Sequence, residues 1–112
     1  MTRKVLLVSN DKEFKDFINI ATLTLTKLNH QITITDNKSD GHIDWMVVDM
    51  DNEDNFGFIV ETRNSELNKK IKIVSVVTAI TDETKERLFK SGCDSIMTKK
   101  EFLAAANNIL IF

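Results

Sequence analysis

Short apolar runs recur along the chain at Val5 to Val8, Trp45 to Val48, Ile71 to Val77 and Ser95 to Thr98. Runs of this length, bounded by polar residues and rich in β-branched side chains, suit strands covered on both faces. Gln31 to Thr35 instead alternates Ile32 and Ile34 with polar residues, as a half-exposed edge strand does. Between the runs the spacing changes to three and four. Phe14, Phe17, Ile18, Ala21, Leu25 and Leu28 make one apolar helix face, and Asp11 is placed to cap it. Phe56, Ile59, Val60 and Leu67 trace a second helix. Thr81 or Asp82 opens a charged third one, which closes at Gly92, a residue able to take the left-handed cap conformation. Lys100 to about Ile111 forms the closing helix, carrying Phe102, Ala105, Ala106, Ile109 and Leu110. Asp36 to Ile43 is polar, contains Gly41 and has room for one helical turn at most, so the helix expected after the edge strand is reduced.

Strands alternating with helices predict an α/β fold with a parallel sheet, because each parallel crossover needs a covering helix. Right-handed crossovers give a doubly wound five-stranded sheet in the order 2-1-3-4-5, with helices on both faces. The carboxyl ends of the strands then share one rim, the place where open α/β sheets bind ligands. Three endings carry chemistry there: Ser9-Asn10-Asp11 after the first strand, Asp49 after the third and Lys99 after the fifth.

The 112 residues are expected to form one domain, 1–112, large enough for its own core. A net charge of −2 gives no electrostatic reason to expect nucleic acid or an anionic membrane as partner. Cys93 is the lone cysteine, so no internal disulfide can form, and a small buried residue in a reducing compartment is its simplest reading. No stretch has transmembrane or signal-peptide character, which predicts a cytoplasmic protein. His30 and His42 stand among polar neighbours as surface residues. A calcium-loop reading of Asp49 to Val60 fails, because its sixth position is Asp54 rather than glycine and its twelfth is Val60 rather than glutamate. The absence of a glycine-rich phosphate loop counts against a nucleotide- or flavin-binding protein of the same architecture.

Three segments in order resemble one family, the receiver domains of bacterial response regulators, which share the flavodoxin-like fold. Asp44 to Asp49 looks like the strand that delivers the phosphoacceptor aspartate, with Gly57 eight residues on. Gly92 to Lys99 is similar to the segment ending in the active-site lysine, and Lys4 to Phe14 to the first strand and helix entry. The resemblance implies a signalling module of a phosphorelay rather than an enzyme. Asp49 would be the phosphoacceptor, Lys99 the phosphoryl partner and Thr78 the switch hydroxyl. Any Mg2+ would take Asp49, Asp51 through its backbone carbonyl or side chain, and Asn10 feebly; no other cofactor is implied. Implied partners are a sensor histidine kinase or phosphotransfer protein and a downstream signalling protein.

Departures from the family pattern shape two competing expectations. The acidic pair after the first strand reads Ser9-Asn10, so the metal site is weakened, and a direct Asp49–Lys99 ion pair in a metal-free pocket becomes the expected arrangement. Asp11 falls at the helix cap, directed away, and Asp51 is the better replacement acid. Lys100 stands where the family has proline, Ile96 where it often has an aromatic, and a one-residue shortening leaves Thr78 and Val77 both open for the switch position. A phosphoacceptor receiver is therefore set against a pseudo-receiver that binds proteins without phosphorylation. In either case the third helix, last strand and closing helix form the expected docking face, for a partner or a second copy of the chain, with Leu88, Phe89, Ile96 and Phe102 on it.

Overall fold

The apolar runs become the strands of a single parallel sheet. A computed structural model describes residues 2–27, 31–35, 43–66 and 68–109. The strands are β1 (Thr2–Val8), β2 (Gln31–Thr35), β3 (Trp45–Asp49), β4 (Lys72–Val77) and β5 (Ser95–Thr98). They are ordered β2-β1-β3-β4-β5, all parallel, as the crossover argument requires. The described helices are α1 (Lys12–Lys27), α2 (Phe56–Arg63, entered through a 3-10 turn over Glu53–Asn55), α3 (Asp82–Ser91) and α4 (Lys99–Ile109). The reduced helix expected within 36–43 falls almost wholly outside the described residues, as do Leu28, His30, His42 and Leu67. No helix among the described residues is long and apolar enough to cross a membrane.

Strand periodicity splits the core into two layers, one on each side of the sheet. Val5, Leu7, Val47, Val74 and Val76 face α1 and α4, where they meet Phe14, Ile18, Leu25, Phe102 and Ala106. Leu6, Met46, Val48, Ile73 and Val77 face the other way, against Ile59 of α2, Leu88 of α3 and Cys93. The rings of Phe14 and Phe102 pack with centroids 5.8 Å apart, joining α1 to α4 over the sheet.

Local chemistry ends the helices where the sheet needs them ended. Thr81, rather than Asp82, caps α3, accepting a hydrogen bond from the Thr84 amide. Gly92 closes α3 at φ 110°, and a Cβ there would also stand 2.8 Å from Cγ of Arg63. Gly57 has ordinary φ and open space around it, so nothing in the packing requires glycine at that position.

Candidate functional site

Parallel strands deliver their carboxyl ends to one edge, and the register decides which residues meet there. Val8 lies beside Val48, Asp49 beside Val76, and Val77 beside Thr98. The next residue of each chain segment therefore turns off the same rim, bringing Ser9, Met50, Thr78 and Lys99 together with Asp49.

Asp49 is 4% exposed and its oxygens are engaged. Its Oδ2 accepts the Ser9 hydroxyl at 2.6 Å and pairs with Lys99 Nζ at 3.0 Å. Its Oδ1 accepts the Asp51 amide at 3.0 Å, which folds the loop back over the strand end. The buried Asn55 side chain donates to the Asp49 carbonyl at 2.8 Å and holds that turn from below.

Lys99 is the first residue of α4, and a capping box puts it there. Thr98 Oγ1 accepts the Glu101 amide at 3.0 Å, while Glu101 Oε1 accepts the Thr98 amide at 3.2 Å. A helix N-terminus is a poor place for a cation. Three acids compensate: Nζ lies 2.8 Å from Asp51 Oδ2 and 3.0 Å from both Asp49 Oδ2 and Asp11 Oδ2. An ammonium has three hydrogens, and each has a carboxylate. The Phe14 ring, centred 5.8 Å away, closes one side. Burial disfavours the charged form of Lys99, but its hydrogen bonds to Asp51, Asp49 and Asp11 outweigh it and raise its pKa above the ordinary lysine value of 10.5.

Asp51 is the second acid at the rim. Its Oδ1 accepts the Thr78 amide at 2.8 Å and its Oδ2 the Thr78 hydroxyl at 2.6 Å. Burial works against its carboxylate, yet Lys99 and Thr78 together hold its pKa below the usual 3.8. Thr78 stands on the rim with its hydroxyl on Asp51, whereas Val77 is 4% exposed and part of the core.

Asp11 corrects the sequence reading. It does cap α1, accepting the Phe14 amide on Oδ1 at 3.2 Å, but its other oxygen reaches Lys99. Hydrogen bonding to Lys99, then to the Phe14 amide, lowers its pKa. A carboxylate has two oxygens, and capping uses one. Asn10 goes the other way: it is exposed and lines an open depression of about 440 Å³ with Ser9, Lys15, Asn52 and Asp54, outside the ring of contacts around Lys99.

The donors left on the rim do not fit a divalent ion. Magnesium needs near-octahedral oxygens at about 2.0–2.1 Å. Here the Ser9 hydroxyl donates to Asp49 while its oxygen accepts the Asp11 amide at 3.1 Å. The three carboxylates converge on Nζ, so the lysine ammonium stands at the point where they would meet a cation. Among the described residues no group of His, Cys, Asp or Glu is arranged to hold a metal.

The expected docking residues separate. Leu88 is 1% and Phe102 0% exposed, both in the core, so neither is a surface anchor. Removing a ring as buried as that of Phe102 costs about 3–5 kcal/mol, the signature of packing rather than docking. Ile96 is half-buried against the α2–α3 layer, and Phe89 alone of the four is open, at 47%. Asn55, Glu101 and Arg63 were not singled out from sequence. Thr98 to Glu101 does carry the capping-box spacing, which is the one signal that could have found Glu101.

No protein-family model matches the sequence, and no curated protein matches it. Solved structures do. A response regulator from Hahella chejuensis superposes with TM-score 0.80 at 17% identity, over 98% of this chain and 93% of that one. The phosphorylated cyanobacterial phytochrome response regulator RcpA gives 0.78 at 14% identity, over 97% and 91%. The Mn2+-bound form of response regulator Rcp1 gives 0.76 at 15% identity, over 98% and 93%. At these identities the likeness is one of fold, and the chain has the fold of a response regulator receiver domain.

Proposed function

We propose that the chain is a receiver-type signalling domain that acts by binding proteins, with the pocket around Asp49 closed by Lys99. One observation carries this reading: the Lys99 ammonium lies within 2.8–3.0 Å of Asp11, Asp49 and Asp51, and the Asp49 side chain beneath it is only 5% exposed. A phosphoryl donor reaching Asp49 would have to separate these charges. It would also have to remove the Ser9 and Asp51 hydrogen bonds from the oxygens that attack. Phosphoryl transfer depends on positioning and charge neutralisation, and this pocket applies its one cation to its own acids. The acid cluster then serves the fold, tying β1, β3, β4 and α4 into a fixed rim. The closed pocket fits a single domain without turnover that recognises another signalling protein.

A second reading keeps Asp49 as the phosphoacceptor of a phosphorelay, served by a sensor histidine kinase or phosphotransfer protein. It is favoured by the Asp49–Lys99 distance of 3.0 Å and by the Thr78 hydroxyl on the same rim. Incubation with millimolar magnesium and acetyl phosphate, or with beryllofluoride, separates the two by intact mass and amide NMR. Unchanged mass and unchanged spectra are expected. A mass increase that Asp49→Asn abolishes would replace the first reading with the second.

A further inference from the structure

Six large hydrophobic side chains stand open to solvent among the described residues, and three of them lie on α1: Phe17, Ile20 and Leu23, exposed by 49%, 59% and 64%. The core face of α1 is made by Phe14, Ile18 and Leu25, so these three form a separate apolar stripe on the outside of the helix. With 3.6 residues per turn, Glu13, Asp16, Ile20, Thr24 and Lys27 share one side, and Phe17 and Leu23 border it about 60° to either side of Ile20. The other three exposed hydrophobics, Val60, Ile80 and Phe89, belong to α2, to the loop before α3 and to α3.

The stripe has a centre. Phe17 and Leu23 lie three residues to either side of Ile20, and Glu13 and Lys27 lie seven residues to either side. Turning the helix end over end about Ile20 therefore places Phe17 on Leu23, Glu13 on Lys27 and Ile20 on itself. Self-complementarity of this kind is what a two-fold interface demands, because each patch must be its own partner. The charges agree: the acid is at the start of α1 and the base at its end, and neither is ion-paired among the described residues. A parallel pairing would set like charges together.

We propose that this face of α1 binds a second copy of the chain, antiparallel, about a two-fold axis through Ile20. The apolar contact expected on the α3–β5–α4 face is thereby moved to the outer face of α1, where three of the exposed hydrophobics cluster. The patch is about 21 Å long and 10–12 Å wide, roughly 250 Å² a copy. Stable complexes bury about 800 Å² per partner, so the dimer is transient and depends on concentration.

Charge exchange and site-specific cross-linking on the full chain test the proposal. Sedimentation over a wide concentration range should show a monomer–dimer equilibrium. Glu13→Lys or Lys27→Glu alone should weaken it several-fold, and the two together should restore it. Mild oxidation should cross-link Ile20→Cys, since an axial residue meets its own mate, while Asn19→Cys, exposed one position away, should stay monomeric. Cys93, 5% exposed, does not compete in this assay. A monomer at millimolar concentration, failure of the double exchange to recover association, or equal cross-linking at both positions would overturn the proposal. So would dimerisation that appears only after deletion of residues 110–112, because the chain's own end would then be the occupant of the stripe.

Discussion

At Lys99 the contest is between burial and charge. The ammonium is desolvated, which costs free energy, and the three carboxylates that surround it would repel one another without it. Replacing Lys99 with Ala leaves the nearly buried Asp49 unpaired. Removing one partner from a fully buried pair costs about 3–5 kcal/mol, but Asp11 and Asp51 are more than a third exposed and water screens them, so about 2 kcal/mol is expected here. Denaturant unfolding measures that loss. The same substitution empties the point on which the carboxylates converge, so millimolar Mn2+ should raise the melting temperature of Lys99→Ala and leave the native protein unchanged. Equal responses from the two would mean that the ammonium is not what fills the cation position. Ser9 belongs to the same account. A neutral hydroxyl where the resembled family has an acid donates to Asp49 and adds no negative charge to a cluster that already carries three.

Between elements, the far end of the sheet is organised by Arg63, at the end of α2. Its guanidinium donates to the Gly92 carbonyl from Nε at 2.8 Å and from Nη2 at 2.6 Å, and to the Lys69 and Ile71 carbonyls from Nη1 at 2.9 and 2.8 Å. It also pairs with Asp94 at 2.8 Å, whose carboxylate accepts the Ile73 amide at the start of β4. One planar fork thus joins α2, β4 and the α3–β5 turn. Lysine has no such fork, so Arg63→Lys should lose nearly as much stability as Arg63→Ala, about 2–3 kcal/mol in chemical denaturation, and full rescue by lysine would count against the fork. None of this was legible in the sequence, because the acceptors are three backbone carbonyls from two separate segments. The strands, their order and the shared rim of Asp49 and Lys99 were legible from period and handedness, and the ion pair between the two from the family resemblance and its missing acidic pair at Ser9 and Asn10. Spacing fails at the edges of a stripe. Phe17 fits the apolar series of α1 but lies on its border and turns outward, and Leu88 and Phe89, adjacent in sequence, are about 100° apart on α3, so only one can be core.

Over the whole molecule, the rim makes stability depend on pH at both extremes. Asp11 and Asp51 titrate lower in the folded chain than at their ordinary 3.8, so the unfolded chain binds more protons in that region. Their contribution is present above that value and is lost as pH falls through the folded pKa values. Lys99 titrates higher when folded, so its contribution is complete below 10.5 and is lost only as pH rises past that point. A melting temperature that holds level across neutral pH, falls below about pH 4 and falls again above about pH 10.5 is the expected profile. The two limbs share one cause and should weaken together. Asp51→Asn takes away a carboxylate of the acid limb and a hydrogen-bond partner that raises Lys99, so it should flatten the acid fall and shrink the alkaline fall, whose onset stays near 10.5. Salt gives an independent check, since Asp11 and Asp51 are open enough for ions to screen. Molar salt should therefore shrink the acid limb. An acid limb in Asp51→Asn as steep as in the native protein would place its origin in carboxylates away from the rim.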